Sequence, residues 1–135
     1  MGSRGPIAST KAAGVTYPAG KPEAPDWLAD EARTEYERAA ELMGRALTLA
    51  DMATLAVYAE SYADFAQLTR EIRKEGVTVM LNNGVFASNP KCSQRDAAAK
   101  RMQSAAAKLG FSPVDRARVP KSSDGKANPF SEYVK

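Results

Sequence analysis

The side chains that could do chemistry in this sequence are cations and carboxylates rather than nucleophiles. Histidine is absent and Cys92 is the one thiol, so the usual neutral-pH base and the commonest transition-metal ligand are both missing. A lone cysteine without histidine leaves no zinc-ligand set and no disulfide framework. Four acids, Glu60, Asp64, Glu71 and Glu75, fall close together on one helical face. Paired carboxylates do acid–base work or hold two metals when they face one another in a bundle core. The pattern here turns them outward, as a solvated face or a partner for Arg and Lys of another subunit. Gly14 to Gly20-Lys21 is one residue too long for a phosphate-binding loop, and Pro22 stands where Ser or Thr would hold magnesium. No catalytic residue, cofactor or metal is expected.

The cations carry more information. Residues 1–22 hold three bases and no acid, residues 23–75 six bases and twelve acids, and residues 76–135 ten bases and four acids. A polyanion would therefore be met at the two ends of the chain and repelled by its middle. The candidate contacts are Arg4, Lys11 and Lys21 in the leading stretch, then Lys91, Arg95, Lys100, Arg101 and Lys108, followed by Arg116, Arg118 and Lys121. Cations outside an apolar stripe also occur on any solvated helix, so the same pattern fits faces of alternating sign with no ligand.

Periodicity and punctuation place these residues on an all-α frame. Residues 1–24, with three prolines and four glycines, read as a flexible basic arm. Residues 25–119 form the helical core. Asp26 is the expected N-cap of a first helix whose Leu28, Ala32, Tyr36, Ala39, Ala40 and Met43 share one stripe before Gly44. Thr48 and Asp51 have the spacing of a capping box, and a second helix then runs to Glu75 and stops at Gly76.

That second helix carries Met52, Leu55, Tyr58, Ala59, Tyr62, Ala63, Phe65, Ala66 and Ile72 over about half its circumference, wider than the usual stripe of a little over 100°. Such a face needs two neighbours. The first helix supplies one, and either the third helix or another copy of the chain supplies the second. Leu55, Tyr58, Tyr62, Phe65 and Ile72 are on this basis the candidate assembly residues. Residues 77–81 and 85–86 flank Asn82-Asn83-Gly84 as a small hairpin. Asn89 caps and Pro90 opens the third helix, which buries Ala98, Ala99, Met102, Ala105, Ala106 and Leu109 and ends at Gly110; Ser112-Pro113 starts one or two more turns. Residues 120–135 read as a disordered tail whose Phe130 and Tyr133 form a short aromatic segment suited to a partner's groove.

The ordered set of Arg4-Gly5-Pro6, Pro25, Trp27-Leu28, Tyr36, Leu47-Thr48 with Asp51, Leu55, Tyr58, Tyr62, Gly76, Gly84, Asn89-Pro90, Leu109-Gly110 and residues 112–118 resembles the small subunit of bacteriophage terminase. The resemblance implies a helical-hairpin core assembled as a ring of roughly eight to twelve copies. It also implies binding of double-stranded viral DNA and recruitment of a large terminase subunit that holds the ATPase and nuclease. No helix-turn-helix with a recognition helix stands out, so phosphate contact is the expected mode of binding. With no apolar run of membrane-spanning length and no leader pattern, the expected place of action is the host cell cytoplasm. The competing reading is a helical protein–protein adaptor that binds no DNA, its basic third helix resting on the acidic stripe of a neighbouring copy.

Overall fold

A computed structural model describes residues 17–118. The expected basic positions Arg4, Lys11 and Lys121 and the tail residues Phe130 and Tyr133 lie outside the described residues. Among the described residues four helices occur in chain order: α1 (Asp30–Met43), α2 (Met52–Glu75), α3 (Pro90–Leu109) and α4 (Pro113–Arg118). Two 3-10 turns join α1 to α2, and a two-stranded antiparallel sheet of β1 (Thr78–Met80) and β2 (Phe86–Ser88) joins α2 to α3. The fold is the expected helical hairpin with a third helix and a short strand connector.

The local signals explain most of the boundaries. Thr48 and Asp51 form the capping box, with the Thr48 N–H donating to Asp51 Oδ2 at 2.8 Å. The box nucleates a 3-10 turn first, and α2 continues from it. Asn89 caps α3 by accepting from the Lys91 N–H at 3.0 Å, with Pro90 at the first helical position. At the other end Gly110 takes a φ of 77°, and the Phe111 N–H donates to Ala106 O while the Gly110 N–H donates to Ala107 O. This left-handed turn throws Phe111 back over the core.

Asp26 does not cap α1. The helix starts four residues later, with Ala29 at the cap position and no side-chain cap. The guanidinium of Arg33 takes over the ordering of this entry, donating to Leu28 O at 3.1 Å and Pro25 O at 2.9 Å. Residues 17–24, assigned from composition to the arm, are bonded to the helical body: Gly20 N–H donates to Leu47 O, Leu49 N–H donates to Pro18 O, and the buried Tyr36 hydroxyl donates to Pro22 O and Glu23 O.

The core gathers Leu28, Ala32, Tyr36, Ala39, Ala40, Leu47, Leu55, Ala56, Tyr58 and Ala59 with Ala105 and Leu109 of α3. Both α1 and α3 pack on α2. α1 covers one side of the wide apolar face of α2 and α3 the other, burying Leu55, Tyr58, Ala59 and Ile72, while Tyr62, Ala63, Phe65 and Ala66 stay partly exposed and Met52 is exposed. The sequence leaves that choice open because a stripe records width without naming the neighbours.

One charged group sits inside this core. Glu35 of α1 is 3 % exposed, with Arg38 donating to both its oxygens at 2.6 and 2.7 Å and the Tyr58 hydroxyl donating to Oε1 at 2.7 Å. A buried carboxylate is tolerated only when paired and hydrogen-bonded in this way. Burial, followed by the Glu35 contact, pushes the Tyr58 phenol up to about 12. Tyr58 also meets Phe111 edge-on, with centroids 4.7 Å apart and planes at 81°. A single side chain thus joins α1, α2 and the turn after α3.

Charge stitches the long hairpin along its length. Lys91, at the start of α3, lies between Glu71 Oε2 at 3.1 Å and Glu75 Oε1 at 2.6 Å. Asn89 adds a bond to Glu75 Oε2 at 3.1 Å. Further along, Arg101 approaches Asp64 at 3.6 Å. Arg70 reaches back to Glu31 of α1 at 2.6 Å.

Two outcomes follow from these contacts. Tyr58→Phe removes a charge-assisted hydrogen bond from the core and should lower unfolding free energy by about 1.5–3 kcal/mol, read as a fall in urea midpoint at unchanged m-value. Lys91 holds Glu71 and Glu75 below the usual carboxylate value of 4.5, after Gln67 for the former. Groups depressed in the fold stabilise it above the unfolded value and lose that contribution as pH falls through the folded one. Lys91→Met should therefore melt below wild type at pH 7, with the gap closing as pH drops beneath about 4.5.

Candidate nucleic-acid interface

The cations of α3 are positioned by its alanines. Ala98 and Ala105 are buried against α2, and their small side chains let the two helices approach, turning the longer residues to the rim. Lys100, Ser104 and Lys108 recur at intervals of four and so form one line along the helix. With Arg101 they wall a shallow groove of about 440 Å³ whose other side is Ala53, Thr54 and Val57 of α2. Lys100 and Lys108 are exposed and have no ion-pair partner among the described residues. The groove offers exposed positive charge and two hydroxyls over a small apolar floor. That chemistry suits a phosphodiester backbone: point charges for the phosphates and no planar array of donors and acceptors for base edges.

The remaining cation candidates divide by what already holds them. Lys91 is clasped by two carboxylates, which raise its pKa through their hydrogen bonds, Glu75 first. Arg101 shares Asp64, though both side chains stay about half exposed. Lys21 pairs with Glu41 of α1 at 3.2 Å. Arg116 in α4 donates to Phe111 O at 3.2 Å and remains exposed. Arg95 is half-buried with no ion-pair partner among the described residues, and Arg118 closes α4. The groove therefore brings together Lys100, Arg101 and Lys108, and leaves Lys91 and Lys21 in intrachain pairs.

The candidate assembly residues lie mostly inside the chain. Leu55, Tyr58 and Ile72 are 0 %, 8 % and 4 % exposed, so their apolar surface is already covered and is not offered to a neighbour. Tyr62 and Phe65 are half-buried. The acids of α2 also have intrachain roles, since Asp64, Glu71 and Glu75 pair with α3 rather than forming an outward stripe. Among the described residues no group of three or more acids and cysteines is placed to hold a metal ion. No helix of the described residues is long and apolar enough to cross a membrane.

Sequence reasoning missed Thr54, Val57 and Ser104 as groove residues and Glu35 with Arg38 as a core pair. Of the first group, Ser104 had a readable signal in the 100, 104, 108 spacing, whereas Thr54 and Val57 join the groove only through the packing of α2 on α3. The second group had none, because Glu35 and Arg38 three residues apart look like any surface pair.

Comparison with known proteins adds one finding. Residues 32–126 match the family model described as phage terminase, small subunit, while no curated protein and no solved structure matches the chain. The matched stretch includes the capping box, both halves of the α2–α3 hairpin, the basic groove and α4. The chain belongs to the phage terminase small subunit family.

Proposed function

We propose that this protein is the non-catalytic, DNA-recognising subunit of a viral genome-packaging motor, acting in the host cell cytoplasm. It binds double-stranded viral DNA through phosphate contacts, assembles as a ring of roughly eight to twelve copies, and recruits a large terminase subunit that carries out ATP hydrolysis and DNA cleavage. The observation that carries the reading is the family match over residues 32–126. The packaging role follows from the family, and the DNA surface is assigned from the groove.

Lys100 and Lys108 lie two helical turns apart, about 12 Å along the axis at 1.5 Å per residue, with Arg101 beside them. Each uncompensated lysine releases counterions when it meets a phosphate, which makes binding fall with salt in proportion to the contacts made. Arg116 and Arg118, with Arg4, Lys11 and Lys121 of the flanking sequence, are further candidate phosphate contacts on the same reading. The tail residues Phe130 and Tyr133 are the proposed contact with the large subunit, because two aromatics on a polar tether suit a groove in a partner.

The test is duplex-DNA binding by fluorescence anisotropy over a range of salt concentrations. Wild type should bind with a log–log salt slope of several units, and Lys100→Glu with Lys108→Glu should weaken binding and reduce that slope by about two. Unchanged binding would move the interface off the groove. No binding by wild type even at low salt would favour the adaptor reading instead.

A further inference from the structure

The connector between α2 and α3 differs in chemistry from the rest of the surface. Residues 76–90 contain no charged side chain in a chain that is 26 % Asp, Glu, Lys and Arg. Five large apolar residues in it are exposed: Val77, Met80, Leu81, Val85 and Phe86. Met80 and Phe86 lie on one face of the hairpin and Val77, Leu81 and Val85 on the other, so both faces present exposed apolar side chains of the kind that mark interaction sites. A two-stranded sheet is also marginal by itself.

The pairing shows what the hairpin leaves open. Thr78 lies opposite Ser88, Val79 opposite Ala87 and Met80 opposite Phe86. The Leu81 N–H donates to Val85 O at 2.8 Å and the Asn89 N–H donates to Val77 O at 2.8 Å. Pairs bonded to each other alternate with pairs that are not, so the odd-numbered residues bond inward. The N–H and C=O groups of Thr78 and Met80 then form one outer edge, and those of Phe86 and Ser88 form the other. The same four residues share one face of the sheet, where Met80 and Phe86 are 64 % and 66 % exposed. Natural sheets protect such edges with lysine, proline or a covering element, and none of these lies on either strand.

We propose that successive copies of the chain join through these hairpins, the open edge of β1 in one copy pairing antiparallel with the open edge of β2 in the next. A second copy is the occupant that fits because each hairpin has two unlike edges to satisfy. A peptide from another protein would fill one edge and leave the other exposed, whereas a repeating neighbour fills both and continues the antiparallel order. The contact is head-to-tail, so it closes into a ring when the rotation allows. DNA is disfavoured at this site by the absence of any cation. The inference rests on the assembly reading above and adds the surface that reading lacked, since Leu55, Tyr58 and Ile72 are covered within the chain.

The experiment is the native mass of the full chain beside Met80→Lys and Phe86→Lys. Both residues are exposed in the single chain, so circular dichroism should show unchanged helix. A lysine on the sheet face beside the seam should reduce an assembled wild type to the 14.5 kDa single chain. Variants that keep wild-type mass would overturn the hairpin seam and leave assembly standing. A wild type of single-chain mass, with and without duplex DNA, would overturn the seam together with the ring. Loss of helix in one variant transfers the decision to the other, and loss in both would overturn the seam by showing that the face is covered within the chain.

Discussion

The buried carboxylate of Glu35 constrains everything packed around it. Its bond from the Tyr58 hydroxyl fixes the rotation of α1 against α2, because a small turn of either helix would take that donor away from a buried carboxylate that Arg38 of its own helix only partly satisfies. Tyr58 in turn fixes where the chain returns after α3, since its ring takes the edge of Phe111. Phe111 reaches that ring only because Gly110 adopts the left-handed conformation. A polar contact between the first two helices therefore sets the angle at which the third is anchored, and with it the direction faced by the α3 cations.

Charge does two different jobs on the two ends of α3. At its N-terminus Lys91 is held by Glu71 and Glu75 and closes the hairpin. Toward its C-terminus the acids thin out: Asp64 reaches Arg101, and α2 then presents Ala53, Thr54 and Val57 beside Lys100 and Lys108. The basic charge of α3 is thus spread unevenly, with Lys91 neutralised within the chain and Lys100 and Lys108 without an ion-pair partner among the described residues. A count of charges along the sequence cannot separate these, since the separation depends on which acid of one helix faces which base of the other.

What was legible in the sequence was local. Thr48 with Asp51, Asn89 with Pro90, and Gly110 with Ser112 each act within a few residues, and each marks an element end seen in the structure. Asp26 misled because its role passed to Arg33, whose long side chain captures carbonyls five to eight residues back and leaves no short-range pattern. The burial of Glu35 was hidden for a similar reason, as its partner Tyr58 is 23 residues away. The wide face of α2 was read correctly as needing two neighbours, but width alone does not distinguish a helix of the same chain from a helix of another. For the candidate site, the line of Lys100 and Lys108 was visible, whereas the pairing of Lys91 and Lys21 with acids was not.

The covering of α2 changes where assembly must be sought. With most of its apolar face filled by α1 and α3, α2 retains only part of Tyr62 and Phe65 and the exposed Met52 for association, so the proposed joining of copies draws on other surface that the single fold leaves unsatisfied. The described residues hold two such surfaces of opposite character, and the antiparallel hairpin keeps them apart. The groove of Lys100, Arg101 and Lys108 lies toward the capped start of α2, while the uncharged strands sit beyond its far end, along a helix of about 36 Å at 1.5 Å per residue. Placing them on one edge would put apolar strands in the path of a hydrated polyanion. On the proposed reading, their separation would let one end of the hairpin meet a neighbour through backbone bonds while the other stays open to phosphate.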